Sequence, residues 1–404
     1  MSTPEQAAPA PAGAIVPSRT EFLRRFVQGD LASLRVVLGL AVIWIIFQSQ
    51  NDRFLSAVNL TNLMLQITAV GLISVGVVYV LLLGEIDLSV GAVSGLSAAV
   101  MTVLNVNHGW DPYLAIAAGV ATGMAIGVLQ GALFTRFGIP SFVVTLAGLL
   151  AWQGALLQVL GKTGSVNITN PKITGLANIF YSDTVGWIMA AVVIGIYAGV
   201  TFLGHRRRVA AGLPGVPIAS QAVKVVVVAA AVIVAVAILN SDRGVPLAVL
   251  ILLSFVAGME YVVQRTRFGR HVFAVGGSAE AARRAGIRIN GIRVAVFAIS
   301  GSMAAIGGIL AASRLLAVNQ TSGGNDFLLL AIAGPVIAGT SLFGGRGSVW
   351  SALLGALVIG SISNGMDLLA LESAVKYMIT GGVLLLAVVV DAIARNQRQQ
   401  AGRI

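Results

Sequence analysis

The sequence predicts an all-α membrane protein, a polytopic transmembrane helical bundle of about 10–12 spans with broken or re-entrant helices. Three observations carry this. Of 404 residues, 57% are hydrophobic and only 10% charged, whereas a soluble chain carries roughly 25% charged residues. Mean hydropathy is +0.92, and the apolar residues come in long runs. The basic residues sit in the short gaps between those runs.

Residues 1–30 are expected to be a disordered cytoplasmic N-terminal tail, since 1–18 is rich in Ala, Pro and Ser and lacks helical periodicity. No secretory signal peptide is recognised, because about 30 residues precede the first apolar run and further runs follow it. A transmembrane domain is expected over 31–392, and a cytoplasmic C-terminal tail over 393–404.

Crossing about 30 Å of hydrocarbon takes about 20 mainly apolar residues. Such runs lie near 34–47, 63–83, 88–104, 113–134, 141–160, 184–203, 225–239, 245–263, 294–316, 327–342, 349–362 and 375–390. Those starting at Val225, Phe327 and Val349 are only about 14 to 16 residues long and read as the candidates for re-entrant or partly buried segments. On the run 113–134, Gly119, Gly123, Gly127 and Gly131 form a stripe of small residues. Such a stripe lets helix backbones approach closely, by packing within the chain or else by contact with a second copy.

If the N-terminus is cytoplasmic and every run crosses, the loops sort by charge. One side receives Arg136, Arg206, Arg207, Arg208, Lys224, the arginines of 265–293, Arg346 and both tails; the other keeps only Arg53, Lys162, Lys172, Arg243, Arg314 and Lys376. Cytoplasmic loops are the basic ones, so both termini are expected inside. The formal charge of +11 is thus a topology signal, and no nucleic-acid partner is expected. With Cys at 0, disulfides, thiolate metal sites and cysteine nucleophiles are excluded.

Gly84-Glu85-Ile86-Asp87-Leu88-Ser89-Val90-Gly91 joins two apolar runs with almost no loop. Carboxylates facing lipid are costly, so Glu85 and Asp87 must meet water, protein partners or freed backbone N–H groups. Gly84 and Gly91 permit a helix break. One reading is a tight turn in which Asp87 or Ser89 caps the next helix; the other is a discontinuous helix lining a permeation path.

The basic stretch 265–293 is the second feature, a loop on the expected cytoplasmic side. Ser278 is placed to cap a short helix through Glu280, Ala281, Ala282, Arg283 and Arg284 that stops at Gly286. A short helix between glycines has the shape of a docking element; a basic loop resting on anionic headgroups is the alternative.

Glu85-Ile86-Asp87-Leu88-Ser89-Val90-Gly91, Ile139-Pro140-Ser141-Phe142-Val143-Val144-Thr145-Leu146-Ala147-Gly148, Phe268-Gly269-Arg270 through Gly286, and Gly339-Thr340-Ser341-Leu342 resemble, in order, the sugar permeases of ATP-binding-cassette importers for ribose, galactose and xylose. The resemblance runs from about Asn59 to Asp391. Asn240-Ser241-Asp242-Arg243-Gly244-Val245-Pro246 and the extra segment 184–239 look like the xylose-type permease in particular. Gln130-Gly131 departs from the pattern, standing where relatives often have Asn-Gly, and Phe327-Leu328-Leu329-Leu330 is more apolar than expected.

The resemblance implies a homodimer of permeases in the bacterial inner membrane, two cytoplasmic ATP-binding subunits that hold ATP and Mg, and a periplasmic sugar-binding protein. It also implies that Gly276, Gly277, Ser278, Glu280, Ala281, Ala282, Arg283, Gly286 and Asn290 belong to a docking loop that inserts into a cleft on the ATPase. The chain would then be no enzyme, holding no cofactor and passing a monosaccharide by alternating access.

Gln66, Gln130, Thr145, Gln153, Ser300, Ser302 and Arg314 are polar residues inside apolar runs. They are candidates for contact with a passing sugar, or for interhelical hydrogen bonds, and Arg314 has the further option of snorkelling to the interface. Gly161-Lys162-Thr163 ends like a phosphate-binding loop, but Leu156 stands at the first glycine's place. His108, His205 and His271 have no second ligand at helical spacing, so no metal site is expected. The rival class is an ion-coupled secondary transporter using Glu85 and Asp87. A membrane enzyme would need titratable groups clustered on one cavity, which the runs do not offer.

Overall fold

The structure, a computed structural model, describes residues 31–213 and 217–400. The expected N-terminal tail lies outside the described residues. Helix α1 (Leu31–Gln50) is followed by α2 (Ala57–Leu82), α3 (Val90–Val106), α4 (Pro112–Phe137) and α5 (Ser141–Leu160). Strand β1 (Ser165–Asn167), α6 (Pro171–Asn178), β2 (Phe180–Tyr181), α7 (Asp183–Ala210), α8 (Ile218–Asn240), β3 (Val245–Pro246) and α9 (Leu247–Arg265) come next. The chain continues through α10 (Arg267–Gly277), α11 (Ala279–Arg284), α12 (Ile289–Leu315), β4 (Ala317–Asn319), α13 (Asn325–Ile337), α14 (Trp350–Leu368) and α15 (Ser373–Gln400).

Among the described residues, 8 helices are long and apolar enough to cross a membrane: α2, α4, α5, α7, α8, α9, α12 and α14. Local chemistry sets their ends. Asp111 accepts from the N–H groups of Tyr113 and Leu114 at the start of α4, Pro112 occupies its first turn, and Gly138 with Pro140 separates α4 from α5. Two of the runs expected to be short are full-length helices. The first, α8, has 23 residues, because it extends into the polar-flanked residues 218–224. The second, α14, has 19, since Asn364 and Asp367 are carried within the helix. Helix α15 continues to Gln400, past the expected boundary at 392.

The core is built on α2, 89% of whose apolar window is buried against 11% for α7 and α8. Helix α12 crosses it antiparallel: Gly76 lies against Ser300 and Met303, and Gly307 against Ala69 and Ile73. Helix α4 then packs on α12 through its glycine stripe. A Cβ at Gly123 would stand 2.3 Å from Gly301 O, one at Gly127 2.1 Å from Phe297 O, and one at Gly119 2.8 Å from Ser97 O of α3. The stripe is spent on close backbone approach inside the chain, where lipid supplies no hydrophobic drive for helix association. It is therefore not a surface for a second copy. Helices α7 and α8 pair with each other at the rim.

Two helices are shorter than a span. At about 1.5 Å per residue, α3 reaches about 26 Å and α13 about 20 Å, from 17 and 13 residues respectively. Each follows a long central helix through an extended segment that turns back into the bundle: 83–89 after α2, and 317–324 after α12. Since α2 and α12 run in opposite directions, the two pairings of a long helix with a short one are inverted relative to each other. The second segment reaches the first turns of α3 in the interior, where Ser322 and Gly323 lie against Gly91 and Gly95. One bundle end carries the two-stranded pairings β1 with β4 (Val166 opposite Val318) and β2 with β3 (Tyr181 opposite Val245). The other carries α10 and α11.

Candidate functional site: a broken helix, its docking end and an open cavity

Segment 83–89 has irregular backbone at membrane depth, which is tolerated only where its polar groups find partners in the protein. They do. Gly84 N donates to Leu81 O and Glu85 N to Val80 O. Ile86 N reaches Ser141 Oγ at 3.4 Å and Leu88 N reaches Thr145 Oγ1 at 3.1 Å, both on α5. Ser89 does not cap α3 with its side chain, so the capping role expected for it is not formed. It bonds instead to Asp87, whose Oδ1 accepts from Ser89 N at 2.9 Å and from Ser89 Oγ at 2.7 Å, while Oδ2 accepts from Ser300 Oγ of α12 at 3.1 Å.

Gln130 of α4 completes this cluster. Ser89 Oγ lies 3.0 Å from Gln130 Oε1 as well as 2.7 Å from the Asp87 carboxylate, yet one hydroxyl proton cannot serve two acceptors. Turning the Gln130 amide over resolves this: its NH₂ then donates to Ser89, and its oxygen faces the Trp152 indole N–H beside Gly148. That indole and Gln130 Nε2 are otherwise both buried without partners. Three candidate path residues thus converge on segment 83–89, Gln130 on Ser89, Ser300 on Asp87 and Thr145 on the backbone of Ile86 and Leu88, and all three are buried. They hold the broken helix together. Sequence reasoning took them one by one because their positions are distant along the chain.

Glu85, the second acid of the motif, pairs with Arg293 at 2.9 Å, and the Arg293 guanidinium lies 5.6 Å from the Phe134 ring centroid. Neither acid stands free to bind a transported ion, and among the described residues no group of acids and histidines is arranged to hold a metal.

The basic stretch forms two helices rather than a loop. Thr266 caps α10 by accepting from Gly269 N, and Ser278 caps α11 by accepting from Ala281 N at 3.2 Å. Glu280 pairs with Arg283 and Arg284 on the exposed face of α11, Ala282 is buried, Ala281 and Asn290 are exposed, and Gly286 has a left-handed φ of 80°. Gly276 lets α10 press on the end of α2: a Cβ there would meet Leu82 O at 1.8 Å. Gly277 is exposed beside it.

Loop 338–349 is wedged into the same place. Gly345 N donates to Leu82 O at 2.9 Å, Phe343 backbone lies against Gly84, and Glu260 of α9 accepts from Ser348 Oγ and Val349 N. Helices α10 and α11, the loop bearing Gly339-Thr340-Ser341-Leu342 and the helix break form one contiguous unit. Glu260 carries no signal in sequence, and Ser141 and Arg293 stand there only as members of longer stretches; pairing in space gives all three their partners.

Gln66 lies elsewhere, in a cavity of about 250 Å³ between α2, α12, α13 and α14 that is also lined by Arg314, Asp326 and Ser363. Gln153 faces outward from α5 and joins neither group. Ser302 bonds to Ala298 O within its own helix.

The chain is 38% identical to the xylose transport system permease protein XylH of Escherichia coli K12, over 85% of this chain and 87% of the relative. It is 32% identical to the ribose import permease protein RbsC of Bacillus subtilis, over 92% and 97%. It is 30% identical to the L-arabinose ABC transporter permease protein AraH of Azospirillum brasilense, over 98% and 97%. No solved structure matches. The model of the family described as branched-chain amino acid transport system / permease component matches residues 59–388; this multi-pass membrane protein belongs to that permease family.

Proposed function

We propose that the chain is the permease subunit of an ATP-driven monosaccharide importer, carrying D-xylose or a similar pentose. The observation that carries this reading is the contiguous unit at one bundle end, in which a capped, exposed helix pair bears directly on the broken end of α2. The relatives named for xylose, ribose and arabinose transport supply the substrate class.

In this reading the chain sits in the bacterial inner membrane among lipid with both termini in the cytosol, and pairs with a second copy. Cytoplasmic ATP-binding subunits grip α10, α11 and the turn into α12 through Gly276, Gly277, Ser278, Glu280, Arg283, Gly286 and Asn290. A periplasmic binding protein delivers the sugar. ATP and Mg belong to the partner, so no covalent step falls to this chain. Closure of the ATPase draws the docking helices together, and Leu82, Gly345 and Gly84 pass that movement to segment 83–89. The free energy that biases inward-open against outward-open states comes from the partners.

The test is reconstitution with the ATPase and binding protein in proteoliposomes. D-xylose uptake is expected to require ATP and all components. Combined Glu280→Ala and Gly286→Val substitutions are expected to lower sugar-stimulated ATP hydrolysis about tenfold or more, as a disrupted interface hot spot does, while membrane insertion persists. Uptake by this chain alone under a proton or sodium gradient would instead establish the ion-coupled class.

A further inference from the structure

The cavity between α2, α12, α13 and α14 opens in the half of the bundle opposite α10 and α11. Gln66 comes from α2, Arg314 from α12, Asp326 from α13 and Ser363 from α14, and the remaining wall is mostly apolar, with Phe327 at one side. A few convergent polar groups in an apolar wall are the usual make-up of a small-molecule site. A volume of about 250 Å³ suits a single sugar ring and not an oligosaccharide.

The hydrogen-bonding capacity here is unspent. Among the described residues, the side chains of Gln66, Arg314 and Ser363 make no hydrogen bond, the Arg314 charge has only the nearby Asp367 carboxylate to offset it, and Asp326 accepts only from the Tyr377 hydroxyl, at Oδ2, which leaves Oδ1 open. A guanidinium offers up to five donors, an amide two donors and an acceptor, and a carboxylate only acceptors. Together they match a ring whose hydroxyls each donate and accept. One cation and one anion face the same space, so an anion would meet Asp326 and a cation Arg314, whereas a neutral polyol or a zwitterion satisfies both, and the sugar-permease reading selects the polyol.

The inverted architecture supplies a contrast. The corresponding place in the other half, between α12, α2, α3 and α4, is where Ser300, Ser89 and Gln130 close on Asp87. There the polar side chains satisfy one another; here they face an open cavity.

We infer that Gln66, Arg314, Asp326 and Ser363 form a hydroxyl-binding subsite for one neutral monosaccharide on the translocation path. The inference rests on the reading of the chain as a sugar permease. Gln66 is the candidate that sequence already marked, and Arg314 reaches the subsite instead of simply snorkelling.

The chain has no cysteine, so Ser363→Cys introduces a single thiol. In the complete transporter reconstituted in proteoliposomes, this thiol is expected to react with a charged methanethiosulfonate reagent. Saturating D-xylose should slow the reaction about tenfold, equivalent to a modest differential in binding, L-leucine should leave it unchanged, and adding Arg314→Ala should remove the protection. Gln66→Cys serves as the second reporter if Ser363→Cys assembles poorly. Thiols that stay unreactive, labelling indifferent to D-xylose, or protection by L-leucine in its place would each overturn the subsite. The readout needs no ATP turnover, so the two readings fail separately. Protection without ATP-driven uptake keeps the subsite and removes the importer, and uptake without protection does the reverse.

Discussion

Asp87 is 5% exposed and accepts from three donors, two on Ser89 and one on Ser300. A buried carboxylate in a membrane bundle persists only if such donors satisfy it. Asp87→Leu removes the acceptor and leaves the donors stranded, at about 1–3 kcal/mol for each buried unpartnered group. The yield of monodisperse protein on detergent size-exclusion chromatography is expected to collapse. Asp87→Asn keeps one acceptor oxygen and is expected to retain part of the yield. Equal yields of Asp87→Leu and the parent protein would mean that the cluster does not hold the break. The motif's chemistry was legible in sequence, because two acids beside glycines between apolar runs demand partners. The identity of those partners was not, since Ser141, Thr145, Gln130 and Ser300 come from three other helices. Gln153 illustrates the limit: it has the same polar character in an apolar run, yet it faces outward from α5.

At the scale of elements, apolar runs located nearly every long helix, since a span must be continuously apolar whatever it packs against. The shortness of the run at Phe327 marks α13 as a re-entrant candidate, but nothing in the runs shows that α3 is also a partial span, because a buried broken helix is as apolar as a crossing one. Ser220, Gln221 and Lys224 interrupt the first turns of α8 and hide them in the hydropathy pattern, and glycines and arginines give α10 the composition of a loop. The glycine stripe was visible, but only the structure gives it a partner. Gly127→Leu would drive a side chain into the Phe297 carbonyl, 2.1 Å from where Cβ must stand. Backbone cannot yield there as a side chain can, so the cost should exceed the usual overpacking range of about 1–3 kcal/mol. Gly195→Leu on α7, where nothing lies within 4 Å, is the control. A thermal-stability assay in detergent is expected to show loss of folded Gly127→Leu and an unchanged Gly195→Leu; comparable melting of both would contradict the α4–α12 packing.

For the whole molecule, two inverted units share the α2–α12 core. One unit closes its polar groups around Asp87, next to the docking helices, and the other leaves a cavity open in the opposite half. This asymmetry suits a passive path worked from one end. Movement of α10 and α11 reaches segment 83–89 through backbone contacts at Leu82, Gly84 and Gly345, which cannot slip without separating. Ser278 and Gly286 mark the short helix α11 in sequence, but not the junction of α10 with loop 338–349, whose residues lie some distance along the chain and meet it only in the folded bundle.

Sidedness of α11 tests this account most directly. With Ser278→Cys as the chain's single thiol, a membrane-impermeant maleimide is expected to label inside-out vesicles and not intact spheroplasts, and the ATPase subunits should shield the thiol when bound. Labelling of Ser278→Cys from the external face would leave the ATPase with nothing to hold and would contradict the account.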